Sequence, residues 1–389
     1  MDDRPLSVVH RPRSKKEQSL NTYSDLNTPE RILLGPGPSM VPSRVLQAMA
    51  HPLLGHLDPK FVELMKEVQE LLRYVFRTKN ELTLPVSGTG SAGMESTVAN
   101  LLEPGDVITI GVNCYFGDRL CDMASRYGAM VNRLDKPWGE VFTPEEIDAA
   151  LKKQPSKVVA IVHAETSTGA LTPLEGMAEV AHKHGALLLI DCVTSLGGIP
   201  LKFDEWDIDI AYSGTQKCLS CPPGLAPVTV GPRAREVLHK RKTKVANWYL
   251  DLTMIEHYWG DERTYHHTAP ISMNFAIREA LRLVQEEGLE TRCARHRANS
   301  QMLWDGLADL DLRPIVPQEY RLPSLTTVAV PDGVNEAEIR KHLLDDYNIE
   351  IAGGLGAFKG KVWRIGLMGY SSRRENVALL LSALGRLLK

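Results

Sequence analysis

No part of this chain approaches the roughly 20 consecutive apolar residues that a membrane-crossing helix needs. The opening, MDDRPLSVVHRPRSKKEQSLNTYSDLNTPE, lacks the apolar core of a signal peptide, and its early acidic residues disfavour an organellar leader. Residues 1–29 therefore read as a polar tail, and GRLLK at the other end does not match the peroxisomal tripeptide. Charge of one sign is also scarce. A formal net charge of -3 gives no electrostatic case for nucleic acid or an anionic membrane as partner. Paired cysteines are nearly missing: of six, only Cys218 and Cys221 have C-x-x-C spacing, with no second pair or histidine cluster to complete a zinc site. The expected compartment is the reducing cytoplasm, with most thiols acting as small buried hydrophobes. Neither an internal repeat nor a low-complexity linker is present.

What remains is 389 residues of ordinary globular composition, long enough for one large core and a smaller domain. From about residue 60 to residue 230, helical and strand patterns alternate. DPKFVELMKEVQELLRYVF has apolar residues at helical spacing, ELTLPVSG is a strand entering a turn, and GMESTVANLLEPGD is a helix closed by Pro-Gly. VITIGV, KVVAIVHAE and LLLIDCVT are short apolar strands separated by further helices. Such strands imply an α/β fold, a large mostly parallel sheet covered on both faces. After a long helical stretch the pattern changes: SLTTVAVP, IEIAGG and KVWRIGL, mixed with two helices, predict a smaller C-terminal α+β domain. The boundaries expected are 30–286 for the large domain and 287–389 for the small one.

Four features carry chemistry. In YSGTQKCLSCPPG, Lys217 follows the short apolar strand of LKFDEWDIDIAYSG; on residue type alone it is a solvated lysine, but strand ends are where open α/β sheets gather ligands. SGTGSAGME is a glycine-rich strand-to-helix turn, either steric in purpose or a phosphate cradle at a helix N-terminus. Asp191 ends LLLIDC, and Glu165-Thr166-Ser167-Thr168 follows another strand. Each is either a turn residue or a group aimed into the crevice. Arg364, inside the apolar KVWRIGL, either snorkels to water or binds a carboxylate. Together they describe pyridoxal 5'-phosphate chemistry: an amine for the Schiff base, an acid for the pyridinium nitrogen, a helix N-terminus for phosphate and an arginine for the substrate carboxylate.

The chain resembles the class V, fold-type I aminotransferases of the alanine-glyoxylate and serine-glyoxylate type, from LLGPGPSMVP to RIGLMGYSSRRENV, with SGTGSAG, ETSTG, DCVTSLGG, YSGTQKCLSCPPG, YHHTAPIS and EIAGGLG as its markers. The resemblance implies that Lys217 is the Schiff-base lysine, Asp191 the pyridinium partner and Val193 a packing surface for the ring. It implies that Gly90, Ser91 and Gln216 hold the phosphate, that Thr166 lies near the ring hydroxyl and that Arg364 binds the substrate carboxylate. It further implies a homodimer in which Tyr265 and Thr268 reach the partner subunit's phosphate. Phe116 stands where some relatives have tryptophan on the cofactor, and Ser91 where some have histidine.

The activity implied is amino transfer from a small amino acid, alanine or serine, to glyoxylate. Serine-pyruvate and ureidoglycine-glyoxylate aminotransferases and a cysteine desulfurase are the alternatives on the same fold, although Gln216 stands before the lysine where desulfurases usually have histidine. A nicotinamide dehydrogenase using Gly88, Gly90 and Gly93 would need an acid at the end of the next strand, and VITIGVN ends in Asn113. Arg119 and the Lys240 to Lys244 cluster read as solvated surface. Arg364 is then the one cation placed for a substrate, and a dicarboxylate such as 2-oxoglutarate would bring a second, unpaired charge into a desolvated site.

Overall fold

The computed structural model describes residues 23–389. The chain divides into two units, Met1–Glu30 and Arg31–Lys389. The described part of the first, residues 23–30, is exposed and has no regular secondary structure. The rest of the expected polar tail, residues 1–22, lies outside the described residues.

In chain order the second unit contains β1 (Ile32–Leu33), α1 (Ser43–Met49), α2 (Pro59–Phe76), β2 (Leu82–Ser87), α3 (Gly90–Leu101), β3 (Val107–Val112), α4 (Tyr115–Arg126), β4 (Met130–Asp135), α5 (Pro144–Lys153), β5 (Val158–Val162), β6 (Ala164–Glu165) and β7 (Ala170–Leu171). It continues with α6 (Met177–Lys183), β8 (Leu187–Asp191), β9 (Ile210–Tyr212), β10 (Leu225–Val230), α7 (Pro232–His239), α8 (Leu252–Trp259), α9 (Ile271–Glu287) and α10 (Leu289–Asp309). The last elements are β11 (Leu325–Ala329), α11 (Glu336–Tyr347), β12 (Ile349–Glu350), β13 (Ala352–Gly353), β14 (Val362–Gly366) and α12 (Arg374–Leu387).

Seven strands form the main sheet in the order β2-β10-β9-β8-β5-β3-β4. The pairs β3–β4, β3–β5, β5–β8 and β8–β9 are parallel, and β10 runs antiparallel to both of its neighbours. Every residue of β5, β8 and β10 is buried, because helices cover both faces of the sheet. α2 shows why a helix forms and where it stops. Asp58 caps it by accepting the Lys60 N–H at 2.8 Å, Pro59 opens the first turn, and Phe61, Met65, Val68 and Leu72 line its buried face. Arg77, in the left-handed conformation, ends it.

A second core gathers around the antiparallel sheet β11-β14-β13, with Leu303, Leu343, Trp363, Leu380 and Leu384 inside it. The long helical stretch breaks at Gly288, whose φ of 79° separates α9 from α10. Leu34 is buried in this second core although it lies far upstream, because β1 pairs in parallel with β12. The segment Ile32–Leu34 thus packs with the C-terminal elements.

The strands β2, β3, β5, β8 and β9 all point their C-terminal ends toward one edge of the main sheet. Loops leaving this edge carry most of the chemistry-bearing residues, as open α/β sheets favour.

Candidate active site

Register brings the first pair together. Asp191 and Tyr212 are direct partners on the parallel strands β8 and β9, so their side chains leave the sheet on the same face. The Tyr212 hydroxyl donates to Asp191 Oδ2 at 2.7 Å, and the Val193 N–H donates to Oδ1 at 2.9 Å. The carboxylate is 3% exposed; burial pushes its pKa up, and these two bonds act in the opposite direction.

Lys217 lies in the loop after β9. Its carbonyl accepts bonds from Ser39 Oγ at 2.8 Å and from the Ser220 N–H, which pins the loop. Its amine is half-buried and donates to the Pro36 carbonyl, and burial lowers its pKa to about 8. Gly37, at φ 109°, makes room for it, since a Cβ there would come within 2.6 Å of Lys217 Nζ. The side chain is thus held by the fold at the cavity rather than extended from the surface. Cys218 donates to the Thr194 carbonyl at 3.2 Å, and burial raises both its thiol and that of Cys221.

The glycine-rich turn becomes the start of α3, with Gly90 and Ser91 as its first two residues. A Cβ on Gly90 would meet Val193 Cγ2 at 3.4 Å, and one on Gly93 would meet Ala226 Cβ at 3.0 Å and Tyr212 Cβ at 3.1 Å. These glycines let the helix N-terminus lie directly against the loops that hold Asp191 and Lys217. The steric and phosphate-cradle readings of the turn are thus compatible.

Glu165 is buried and accepts from the Ser167 N–H and the Ser167 hydroxyl, each at 2.7 Å, and from the Cys114 thiol. This orders the turn that carries Thr166. Arg364, 7% exposed in the middle of β14, donates Nε–H to the Gly353 carbonyl at 2.7 Å and Nη1–H to the Thr166 carbonyl at 3.2 Å. Both bonds go to backbone carbonyls rather than to a carboxylate. Of the acidic groups, Glu165 is the one whose field bears on the guanidinium.

A cavity of about 200 Å³ lies among these groups, lined by Gly90, Ser91, Phe116, Thr166, Asp191, Val193, Gln216 and Lys217. Arg364 stands behind its Thr166 wall. Tyr265 and Thr268 do not line this cavity; both are exposed, with the Tyr265 ring 5.3 Å from that of His56.

Two residues escaped the sequence reading. Tyr212 has no local signal of a role in LKFDEWDIDIAYSG, and nothing short of the β8–β9 register pairs it with Asp191. Arg119, read as solvated surface, lines the cavity instead and donates Nη1–H to Ser91 Oγ at 3.2 Å. Helical spacing from Phe116 was the available signal, since residues three apart share one face of α4.

The class-V aminotransferase family model matches residues 31–380. The chain is similar to a solved alanine--glyoxylate aminotransferase from Nostoc sp., with 54% identity and a TM-score of 0.94, covering 97% of this chain and 100% of that one. It is 42% identical to the (S)-ureidoglycine--glyoxylate transaminase of Bacillus subtilis, over 92% of this chain and 91% of the relative. It is also 42% identical to the alanine--glyoxylate aminotransferase of Rattus norvegicus, over 92% and 88%. Because the match spans both cores and every loop around the cavity, this chain belongs to the class V aminotransferases, enzymes that work with pyridoxal 5'-phosphate.

Proposed function

We propose that this aminotransferase moves the amino group of a small amino acid, alanine or serine, to glyoxylate. The observation that carries the reading is a half-buried amine, Lys217, and a buried acid, Asp191, lining one small cavity, with a buried guanidinium, Arg364, that has no carboxylate partner among the described residues and is bonded to the carbonyl of the cavity-lining Thr166.

The residues present fit pyridoxal phosphate. The first turn of α3 offers N–H groups to a phosphate. Gln216 Oε1 is buried without a hydrogen-bond partner among the described residues, the mark of a side chain whose contacts are completed by something else. Phe116 and Val193 offer apolar surface to a flat ring in the same cavity as the Asp191 carboxylate. Gly90, Ser91 and Gln216 would hold the phosphate, Thr166 the ring hydroxyl and Lys217 the aldehyde carbon.

When bound, the cofactor supplies an electron-withdrawing ring that makes the α-proton of an amino acid acidic. The chain provides the rest. Lys217, with its pKa brought down to about 8, has a usable neutral fraction near neutral pH and takes the α-proton as a base. Asp191, oriented by Tyr212 and Val193, holds a proton at the ring nitrogen. Arg364 binds the substrate carboxylate with the N–H groups that Gly353 and Thr166 leave free.

Both relatives at 42% identity carry glyoxylate in their names, which supports that acceptor. Their equal identity also favours (S)-ureidoglycine as a second candidate donor. Steady-state assays of alanine, serine and (S)-ureidoglycine against glyoxylate, pyruvate and 2-oxoglutarate test the reading. We expect kcat/KM for glyoxylate to exceed that for 2-oxoglutarate by at least about tenfold, roughly 1.4 kcal/mol of discrimination. A preference for 2-oxoglutarate would overturn the substrate assignment.

A further inference from the structure

Besides Lys217, the cavity is lined by one further cation, Arg119. Arg119 stands one helical turn after Phe116 on α4, and its guanidinium carbon lies 4.8 Å from the centre of the Phe116 ring. Stacking on that ring aims the planar group at the first turn of α3, where Nη1–H meets Ser91 Oγ at 3.2 Å. Its one side-chain hydrogen bond among the described residues is to this hydroxyl, so most of its donors are uncommitted. Its positive field reaches Asp191 and Tyr212 across the cavity. Arg364 lies behind the Thr166 wall, whereas Arg119 lies at the α3 end.

A phosphate monoester near pH 7 carries between one and two negative charges. The N-terminus of α3 contributes only about half a positive charge toward it, and Gln216 and Ser91 contribute none. That leaves most of the anion's charge uncompensated. A guanidinium fork beside Ser91 suits the remainder, because it presents paired donors and remains charged.

We propose that Arg119 binds the cofactor's phosphate, acting with the first turn of α3 and held in position by its stack on Phe116. This rests on the reading of that turn as the phosphate subsite. The test uses the full-length protein stripped of cofactor and titrated with pyridoxal 5'-phosphate and, separately, with pyridoxal, followed by visible absorbance. The wild type should bind the phosphorylated form more tightly. R119Q should lose at least about tenfold in affinity for pyridoxal 5'-phosphate, with pyridoxal unchanged within about twofold, and R119K should retain part of the difference.

Equal losses for both ligands would mean that Arg119 only supports the fold, and no loss would mean that it does not meet the phosphate; either overturns the proposal. A wild type that fails to distinguish the two ligands would overturn the phosphate subsite itself. Unchanged cofactor affinity in R119Q with a selective fall in kcat/KM for 2-oxoglutarate would assign the cation to substrate instead and overturn the proposal.

Discussion

At the scale of single residues, Lys217 combines a chemical role with a cost to the fold. Its folded pKa of about 8 lies below its ordinary 10.5, so between these values the unfolded chain binds more protons than the folded one. Stability therefore rises with pH across that window, and below about pH 8 the buried ammonium destabilises the cofactor-free protein in full. Lys217→Met removes the ionisable group while keeping an unbranched side chain. Thermal denaturation of the cofactor-free variant should show a Tm gain over wild type at pH 7 that shrinks toward pH 10.5, while turnover falls by about 10²–10⁴-fold. A Tm difference independent of pH, or near-normal turnover, would contradict this account. Asp191 and Arg364 divide differently. Asp191→Asn preserves shape and loses charge at the ring nitrogen, so kcat should fall most. Arg364→Lys should chiefly raise KM, because an ammonium cannot reproduce the fork that meets a carboxylate. Steady-state kinetics giving the same kcat and KM pattern for both variants would remove that distinction.

Among the elements, α3 depends on how closely it approaches the sheet. Gly93 faces β9 and β10, and the added methyl of Gly93→Ala would stand 3.0 Å from Ala226 Cβ and 3.1 Å from Tyr212 Cβ, contacts that must open by a few tenths of an ångström. We expect the variant to lose about 1–3 kcal/mol of stability from overpacking. Cofactor affinity should fall too, since the same helix presents Gly90 and Ser91 to the cavity. Chemical denaturation together with cofactor titration checks both, and an unchanged midpoint would show that the helix shifts without cost. The element scale also explains what was legible in the sequence. β3 coincides with VITIGV and β5 lies within KVVAIVHAE, because strands buried on both faces form unbroken apolar runs bounded by turns. β9 is shorter than its quoted stretch, since residues 203–207 are turn, and the direction of β10 has no signature in its own residues.

For the whole molecule, the prediction is assembly. Tyr265 is 60% exposed and Trp248 59%, with Tyr249 and Thr268 also exposed nearby in sequence. Aromatic residues left in water at this density are better accounted for by a covered face than by a free surface. If Tyr265 and Thr268 serve the neighbouring subunit's phosphate, the active species is a homodimer, and dilution to monomers should release cofactor and activity together. Sedimentation with parallel absorbance measures this directly. A fully active monomer would dismiss the shared site.

The residue types and their local order determined the chemistry by themselves. A lysine after one strand, an acid ending another, a glycine-rich turn and an arginine in an apolar strand are each set by neighbours a few positions away, and such short-range patterns survive in a linear text. Tertiary structure alone decided which of them meet. Tyr212 reaches Asp191 through the register of two strands, and Pro36 reaches Lys217 because β1 packs with the C-terminal elements. Arg119 lines the cavity because α4 lies beside α3. Each depends on a contact between residues distant in sequence, and the hydrophobic burial that creates those contacts is non-directional and leaves no local trace.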